Sequence, residues 1–313
     1  MYQKNVYTVI ATYNGMRWID RCLKSLFESS QHSHIVVIDN GSDDNTVAFI
    51  KVNFPSVQLI TTEKNLGFGQ ANNIGLKLAK EYKADYAFLL NQDAWVEKDT
   101  IAELMQAHIE NPLLGIISPI HLTGAGDAFD RIFYDYLSQS DVKNLVTASL
   151  LHKQPFDGVI NTSFVNAAAW LISSECLIKT GGFDPVFFHY GEDNNYAHRV
   201  LFKGFTIGIL CNTHVFHDKE YQANDKPKNL QSLFKHDWII LLHQACDIQN
   251  PAWKKLLLHR FYRYGFLSIL SSITFKRDGL FYNFSMAKNI VTFFRKIKKS
   301  RKIAERDNSP YII

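Results

Sequence analysis

Along the first half of the chain, short apolar runs alternate with stretches in which apolar residues recur at helical spacing. Residues 6–11 are rich in β-branched side chains and predict a strand, broken at Thr12-Tyr13-Asn14-Gly15. Ile19, Cys22, Leu23 and Leu26 then fall at i, i+3, i+4 and i+7, one face of a helix. Residues 34–39 form a second strand, stopped by Asn40-Gly41-Ser42-Asp43-Asp44, and 46–52 a short helix. Residues 57–61 make a third strand, followed by the glycine-containing loop 65–69 and a helix over about 70–82. The fourth strand, 86–90, is wholly apolar and runs into Asn91-Gln92-Asp93. Ile101, Leu104, Met105 and His108 mark the next helix, and 115–118, 165–172 and 205–210 read as further strands. Another helix passes through His198, Arg199 and Leu201. The stretch 122–161 is polar and irregular and is expected to be a mobile loop region over a site.

Strand and helix alternate with short connections, which implies an α/β fold with a mostly parallel, doubly wound sheet and right-handed crossovers. In that arrangement every polar break after a strand lies on one edge of the sheet, where open α/β folds gather their ligands. Ala11, Thr12, Asn14, Asp39, Asn65, Gly67, Asn91, Gln92 and Asp93 are thereby expected to meet. Later in the chain, Glu192 and Asp193 place adjacent carboxylates after an aromatic run, and His217 follows the last strand.

Composition narrows the class. The 313 residues are 46% hydrophobic and 20% charged, so the chain buries a substantial core. The four cysteines have neither metal-ligand nor disulfide-framework spacing, and the N-terminus enters a strand at once. A reduced, cytoplasmic chain is expected. After the first strand only Gly15 appears, so the glycine triplet of a dinucleotide fold is missing, as is a Gly-Lys-Ser/Thr phosphate loop. What remains is an edge of acids, amides and a histidine, suited to a divalent metal and a phosphorylated ligand.

Five segments in register carry a resemblance: residues 9–14, 37–44, 65–75, 90–93 and 182–199. They resemble the family 2 glycosyltransferases, most closely the bacterial subgroup that includes rhamnosyltransferases of surface-polysaccharide assembly. The resemblance implies a Rossmann-like GT-A nucleotide-sugar-binding fold over residues 1–225. The implied activity is inverting transfer from a nucleoside-diphosphate sugar (dTDP-rhamnose or a UDP-sugar) to a glycan or lipid-linked acceptor. By this likeness Asp39 bonds the nucleotide base or ribose, with Ala11, Thr12 and Asn14 lining the pocket; the bland alternative for Asp39 is an Asx-turn over Gly41. Asn65, Gly67 and Asn72 let the donor approach the backbone. Asn91-Gln92-Asp93 stands where the family has Asp-x-Asp, so Asp93 binds Mg²⁺ or Mn²⁺, while Asn91 lowers the charge available to it. His217, in competition with His214, completes the metal shell. Asp193 is the base that takes the acceptor proton, and Glu192 raises its pKa by repulsion. Arg199 either steers phosphate or pairs with Glu192, and Asn195 stands where the family often has another acid. Asn91 and Asn195 motivate a competing class, a non-catalytic nucleotide-sugar or glycan-binding protein on the same fold.

Charge divides the chain. Between Pro251 and Arg306 lie 14 Lys plus Arg against Asp278 and Glu305; of the net +4 this segment contributes +12, so the remainder carries −8. Residues 226–313 therefore read as a basic, aromatic helical tail. Its stripe Ile290, Phe293, Phe294 and Ile297 is expected to lie on an anionic membrane at its inner face. Packing on the body and a homodimer interface are the other readings. Nothing in the acidic body points to nucleic acid.

Overall fold

The computed structural model describes residues 4–139, 158–219, 229–308 and 310–312. Strands β1 (Val6–Thr12), β2 (His34–Asp39), β3 (Gln58–Thr61) and β4 (Tyr86–Leu90) pair in parallel in the order β3-β2-β1-β4. Helices α1 (Ile19–Phe27), α2 (Thr46–Asn53) and α3 (Phe68–Glu81) make the crossovers. Because side chains alternate across a strand, Val6 and Ile10 of β1 join one core with Cys22 and Leu23 of α1. Tyr7 and Val9 join the other, with Ala71 and Leu76 of α3. Burial on both faces explains why these strands read as continuous apolar runs.

Beyond β4 the sheet is mixed. The order continues β8 (Ala169–Ser173), β6 (Leu114–Thr123), β9 (Thr206–His217) and β5 (Ala94–Val96), with β7 (Val159–Thr162) also on β9. β8 is antiparallel to both β4 and β6, while β6 and β9 run parallel. The parallel expectation thus describes the first half of the sheet. β9 continues past Leu210 because a bulge over 211–213 restores its pairing with β6 and carries it to His217. In the irregular stretch the described residues include α5 (Arg131–Gln139) and β7; residues 140–157 lie outside the described residues. The remaining helices of this part are α4 (Thr100–Glu110), α6 (Ser174–Thr180) and α7 (Glu192–Phe202).

Three further helices, α8 (Leu230–Cys246), α9 (Trp253–Ile273) and α10 (Arg277–Ala304), enclose a third core built from Trp238, Leu242, Leu257, Tyr264, Met286 and Ile290 with Phe187 of the body. The chain end returns to the body. Asp184 accepts hydrogen bonds from Ser300 Oγ (2.5 Å) and Tyr311 Oη (2.9 Å), and Gly182 N donates to Pro310 O (2.8 Å). Arg301 donates to the carbonyl of Ala245 in the last turn of α8 and to that of Asn250 beyond it. The stripe expected on a membrane mostly faces this core instead: Ile290 and Ile297 are buried, and Phe293 packs on Trp238 with ring centroids 5.1 Å apart. Among the described residues no helix is long and apolar enough to cross a membrane.

Candidate active site

The carboxyl ends of β1, β2 and β4 meet through side chains that tie them together. Gln92 Oε1 accepts from Thr12 Oγ1 (2.6 Å) and Tyr13 N (2.9 Å), and Gln92 Nε2 donates to Tyr13 O (3.2 Å). A Cβ on Gly15 would collide with Thr12 and Gln92, so glycine is what lets this junction close. Asn14, at φ +50°, accepts from Asp43 N through Oδ1 (3.0 Å), and its own N–H donates to Ser42 Oγ (2.9 Å). Asn40 Nδ2 donates to Asn65 Oδ1 (3.1 Å), which also accepts from Gly67 N (2.8 Å). The sequence placed these residues together, and they are; but Thr12, Asn14, Asn65 and Gln92 spend side-chain groups holding the edge in shape.

Gly67 and Asn72 differ from the sequence expectation in what they approach. At Gly67 (φ +84°) an added Cβ would run into the Phe188 carbonyl, so glycine there admits the loop before α7. Asn72 is buried and donates to Phe68 O within its own helix (3.0 Å). Ala11 sits half-buried beside Thr12 at the end of β1.

Other groups on the edge are left with unspent acceptors. Asp39 is 2% exposed; its Oδ2 accepts from Ser42 N (3.1 Å), the turn over Gly41, while its Oδ1 is buried with no partner. The turn reading of Asp39 is met by Oδ2 and leaves Oδ1 without a protein donor. Asn91 Oδ1, Asn166 Oδ1 and Glu192 Oε2 are likewise buried and unpartnered. A buried acceptor without a donor costs about 1–3 kcal/mol, and these four oxygens have no donor among the described residues.

At one corner His217 Nε2 lies 3.4 Å from Asp93 Oδ1 and 3.4 Å from Asn91 Nδ2. Its other nitrogen, Nδ1, is 3.1 Å from Asp130 Oδ2, and Asp130 is fully buried ahead of α5, accepting from Phe133 N (2.9 Å). Burial alone would lower the His217 pKa, but Asp130 and Asp93 override it and raise it to about 9. The same histidine, outweighing burial, holds the Asp93 carboxyl below its ordinary range. His214 does not share this corner; it lies 3.4 Å from Glu97.

Asp93, Asn91 and His217 are the residues that could hold a divalent metal of the kind the family resemblance implies, with His217 giving up the Nε2 proton that its raised pKa retains. Asp130 fixes His217 with Nε2 turned toward Asp93, the carboxylate–histidine pattern that orients metal-binding imidazoles. Asn91 supplies the unpartnered oxygen. Among the described residues no group of three or more His, Cys, Asp or Glu is arranged to hold a metal ion. A hard cation that takes part of its coordination from phosphate oxygens needs fewer protein ligands than that.

At the opposite side, α7 begins at Gly191 (φ +86°) and presents Glu192 and Asp193. Asp193 Oδ1 accepts from Asn194 N (2.8 Å) and Asn194 Nδ2 (3.2 Å), and its carboxylate also accepts from the backbone N–H of Ala167. Ala168, next in the chain, accepts from Asn91 N (2.9 Å), which connects the two corners. Burial and then Asp193 push the Glu192 carboxyl up to about 8, and burial raises Asp193 as well. Near neutral pH Glu192 therefore favours its protonated form.

Arg199 does neither thing expected of it. It is 1% exposed and donates to Thr180 O (2.5 Å), Gly182 O (2.6 Å) and Asn195 Oδ1 (3.1 Å). Asn195 thereby has a structural task, and its replacement of an acid says nothing about lost chemistry. Three residues at the site were not foreseen. Asp130 lies within the irregular stretch, where its only local signal is an Asp before a helix. Tyr136 of α5 bonds the Asn194 side chain beside Asp193, and burial pushes its hydroxyl up to about 12. Lys219 lies over the Tyr190 ring (5.9 Å), and its charge also acts on Asp93.

The glycosyl transferase family 2 model matches residues 7–167, and the chain belongs to that family. It is 23% identical over 214 residues to the dTDP-rhamnosyl transferase RfbF of Shigella flexneri, covering 68% of this chain and 69% of that protein. It is 22% identical over 253 residues to the N-acetylglucosaminyl-diphospho-decaprenol L-rhamnosyltransferase of Mycobacterium tuberculosis, covering 74% and 82%. The crystal structure of GalNAc-T7 with UDP, GalNAc and Mn²⁺ superposes with a TM-score of 0.55 at 15% identity, over 80% of this chain and 52% of that one, a likeness of fold.

Proposed function

We propose that this transferase moves a sugar, with inversion, from dTDP-rhamnose or a UDP-sugar to a glycan or lipid-linked acceptor of a surface polysaccharide. The work would be done at the cytoplasmic face of a membrane. Residues 1–225 would carry the chemistry and 226–313 the attachment. The observation that carries the reading is the pair of buried, unpartnered oxygens on Asp39 and Asn91 at the ends of β2 and β4, with a third on Glu192 at the start of α7. Asp39 Oδ1 would accept from the base or ribose, beside Ala11 and Thr12. Asp93 and His217 Nε2, with Asn91 Oδ1, would hold Mg²⁺ or Mn²⁺ on the diphosphate. When bound, the metal supplies positive charge to the departing nucleoside diphosphate. Lys219 would add a second positive charge on the same side.

Asp193 would accept the acceptor hydroxyl's proton. The acceptor oxygen would form a bond to the anomeric carbon as the bond to the diphosphate oxygen breaks, the electron pair leaving with the diphosphate. General-base help of this kind is worth about 10²–10⁴-fold. Attack from the face opposite the leaving group inverts the anomeric centre. The two rhamnosyltransferase relatives favour dTDP-rhamnose as donor and, for one, a lipid-diphosphate-linked acceptor. The reading is tested by thermal shift and turnover against thymidine, uridine and guanosine diphosphate sugars with Mn²⁺ or Mg²⁺. Saturable stabilisation by one nucleotide class with sugar transfer supports it; binding without turnover of any donor would make the chain a binding protein on this fold.

A further inference from the structure

The tail's inner faces are satisfied by its own core, yet a second apolar face remains outside. On α9, Phe266, Ile269 and Ile273 follow one another at i, i+3 and i+7 and are 66%, 63% and 68% exposed. Phe275, at the turn into α10 with φ +54°, is 92% exposed, and Phe281 and Phe284 continue the surface on α10 at 56% and 59%. Large apolar side chains exposed in this number on one helical hairpin mark a contact surface. From Tyr264 to Phe275 there is no charged residue, and the run is bounded by Arg263 on one side and Lys276 and Arg277 on the other. Farther along α10, Lys288 and Arg295 are exposed as well.

We propose that the outer face of the α9–α10 hairpin lies flat in the headgroup region of an anionic lipid surface. The phenylalanines and isoleucines enter the acyl boundary, and Arg263, Lys276, Arg277 and Lys288 reach up to lipid phosphates. An uncharged run of 12 residues spans about 18 Å as a helix, too short to cross a bilayer and suited to lying in its plane. Charge decides the occupant. Asp278 is the one acid between Pro251 and Ala304. A second copy docked on the same face would set these cations against themselves, since a two-fold interface is self-facing. An anionic membrane complements them. The surface thus differs from the Ile290–Ile297 stripe, which is spent on the helical core.

This deepens the membrane part of the proposed function, and its test reads lipid binding alone. Full-length protein is floated with vesicles of phosphatidylcholine plus phosphatidylglycerol, and with phosphatidylcholine alone. The pairs Phe275→Ser with Phe284→Ser and Lys276→Glu with Arg277→Glu are compared, and sedimentation velocity is run without lipid. All four positions are exposed, so unfolding temperatures should stay at the wild-type value. The expected result is retention of the wild type on anionic vesicles, weakened by salt. The serine pair should lower the partition coefficient about tenfold or more, and the glutamate pair should lower it on anionic vesicles only. Equal retention of wild type and serine pair, or no retention of wild type, overturns the proposal. A dimer that the serine pair dissociates also overturns it and assigns the face to a second copy. Failed flotation leaves the transferase reading intact, and absent turnover leaves flotation intact.

Discussion

Replacing Glu192 with Gln should change how the protein's stability responds to pH, and the sign follows from the structure. Glu192 is 5% exposed, and burial and then the neighbouring Asp193 raise its pKa to about 8 from the ordinary 4.5. The native protein therefore keeps a proton that the unfolded chain releases some pH units lower. Between those two pKa values the unfolded state binds fewer protons, so stability falls as pH rises. The contribution is fully present below about pH 4.5 and gone once pH passes about 8. Each pH unit in that window is worth about 1.4 kcal/mol, for a total of several kcal/mol. Glutamine has no proton to lose and resembles the neutral acid. Glu192→Gln should match wild type near pH 5 and exceed it progressively toward pH 8, by very roughly 10 °C in melting temperature for a chain of this size. Thermal unfolding across that range checks it. A difference that stays constant with pH would refute the claim that native Glu192 is protonated. Activity near neutral pH should survive, because the variant copies the neutral form that Glu192 favours there.

The metal corner gives two more expectations. Asn91→Asp adds a carboxylate where the family carries an acid, and should lower the Mn²⁺ concentration for half-maximal binding about tenfold, since affinity for hard cations rises with ligand charge; calorimetric titration reads this, and unchanged or weaker binding counts against Asn91 as a ligand. Asp130→Asn should cost about 10–100-fold in metal affinity by releasing His217 Nδ1, while donor binding without metal stays close to wild type; equal losses in both would make Asp130 a folding residue only.

How far the sequence could be read depended on whether a residue's partner lies nearby in the chain. β1, β2 and β4 are buried on both faces, so their apolar runs and polar ends were visible, and parallel pairing then put Thr12, Asp39 and Asn91 on one edge. β5 and β7 were missed because three and four residues carry no usable period. β9 was cut short at Leu210 because its bulge reads locally as a break. Asp130 escaped because its partner His217 is 87 positions away. Arg199 was given partners of opposite charge, the usual expectation, whereas its surroundings are carbonyls brought together by the Thr180–Gly182 turn. The stripe Ile290–Ile297 is a true helical face; its direction was illegible, since an apolar face looks the same whether it meets lipid or Trp238.

The most direct test of the mechanism is the turnover of Asp193→Asn with donor and acceptor in hand. The side chain keeps its size and can still accept from Asn194 N, so nucleotide binding measured by titration should stay close to wild type. Lacking a group that can take the acceptor proton, the variant should lose about 10²–10⁴-fold in kcat. Turnover within a few-fold of wild type, with donor affinity unchanged, would contradict Asp193 as the base.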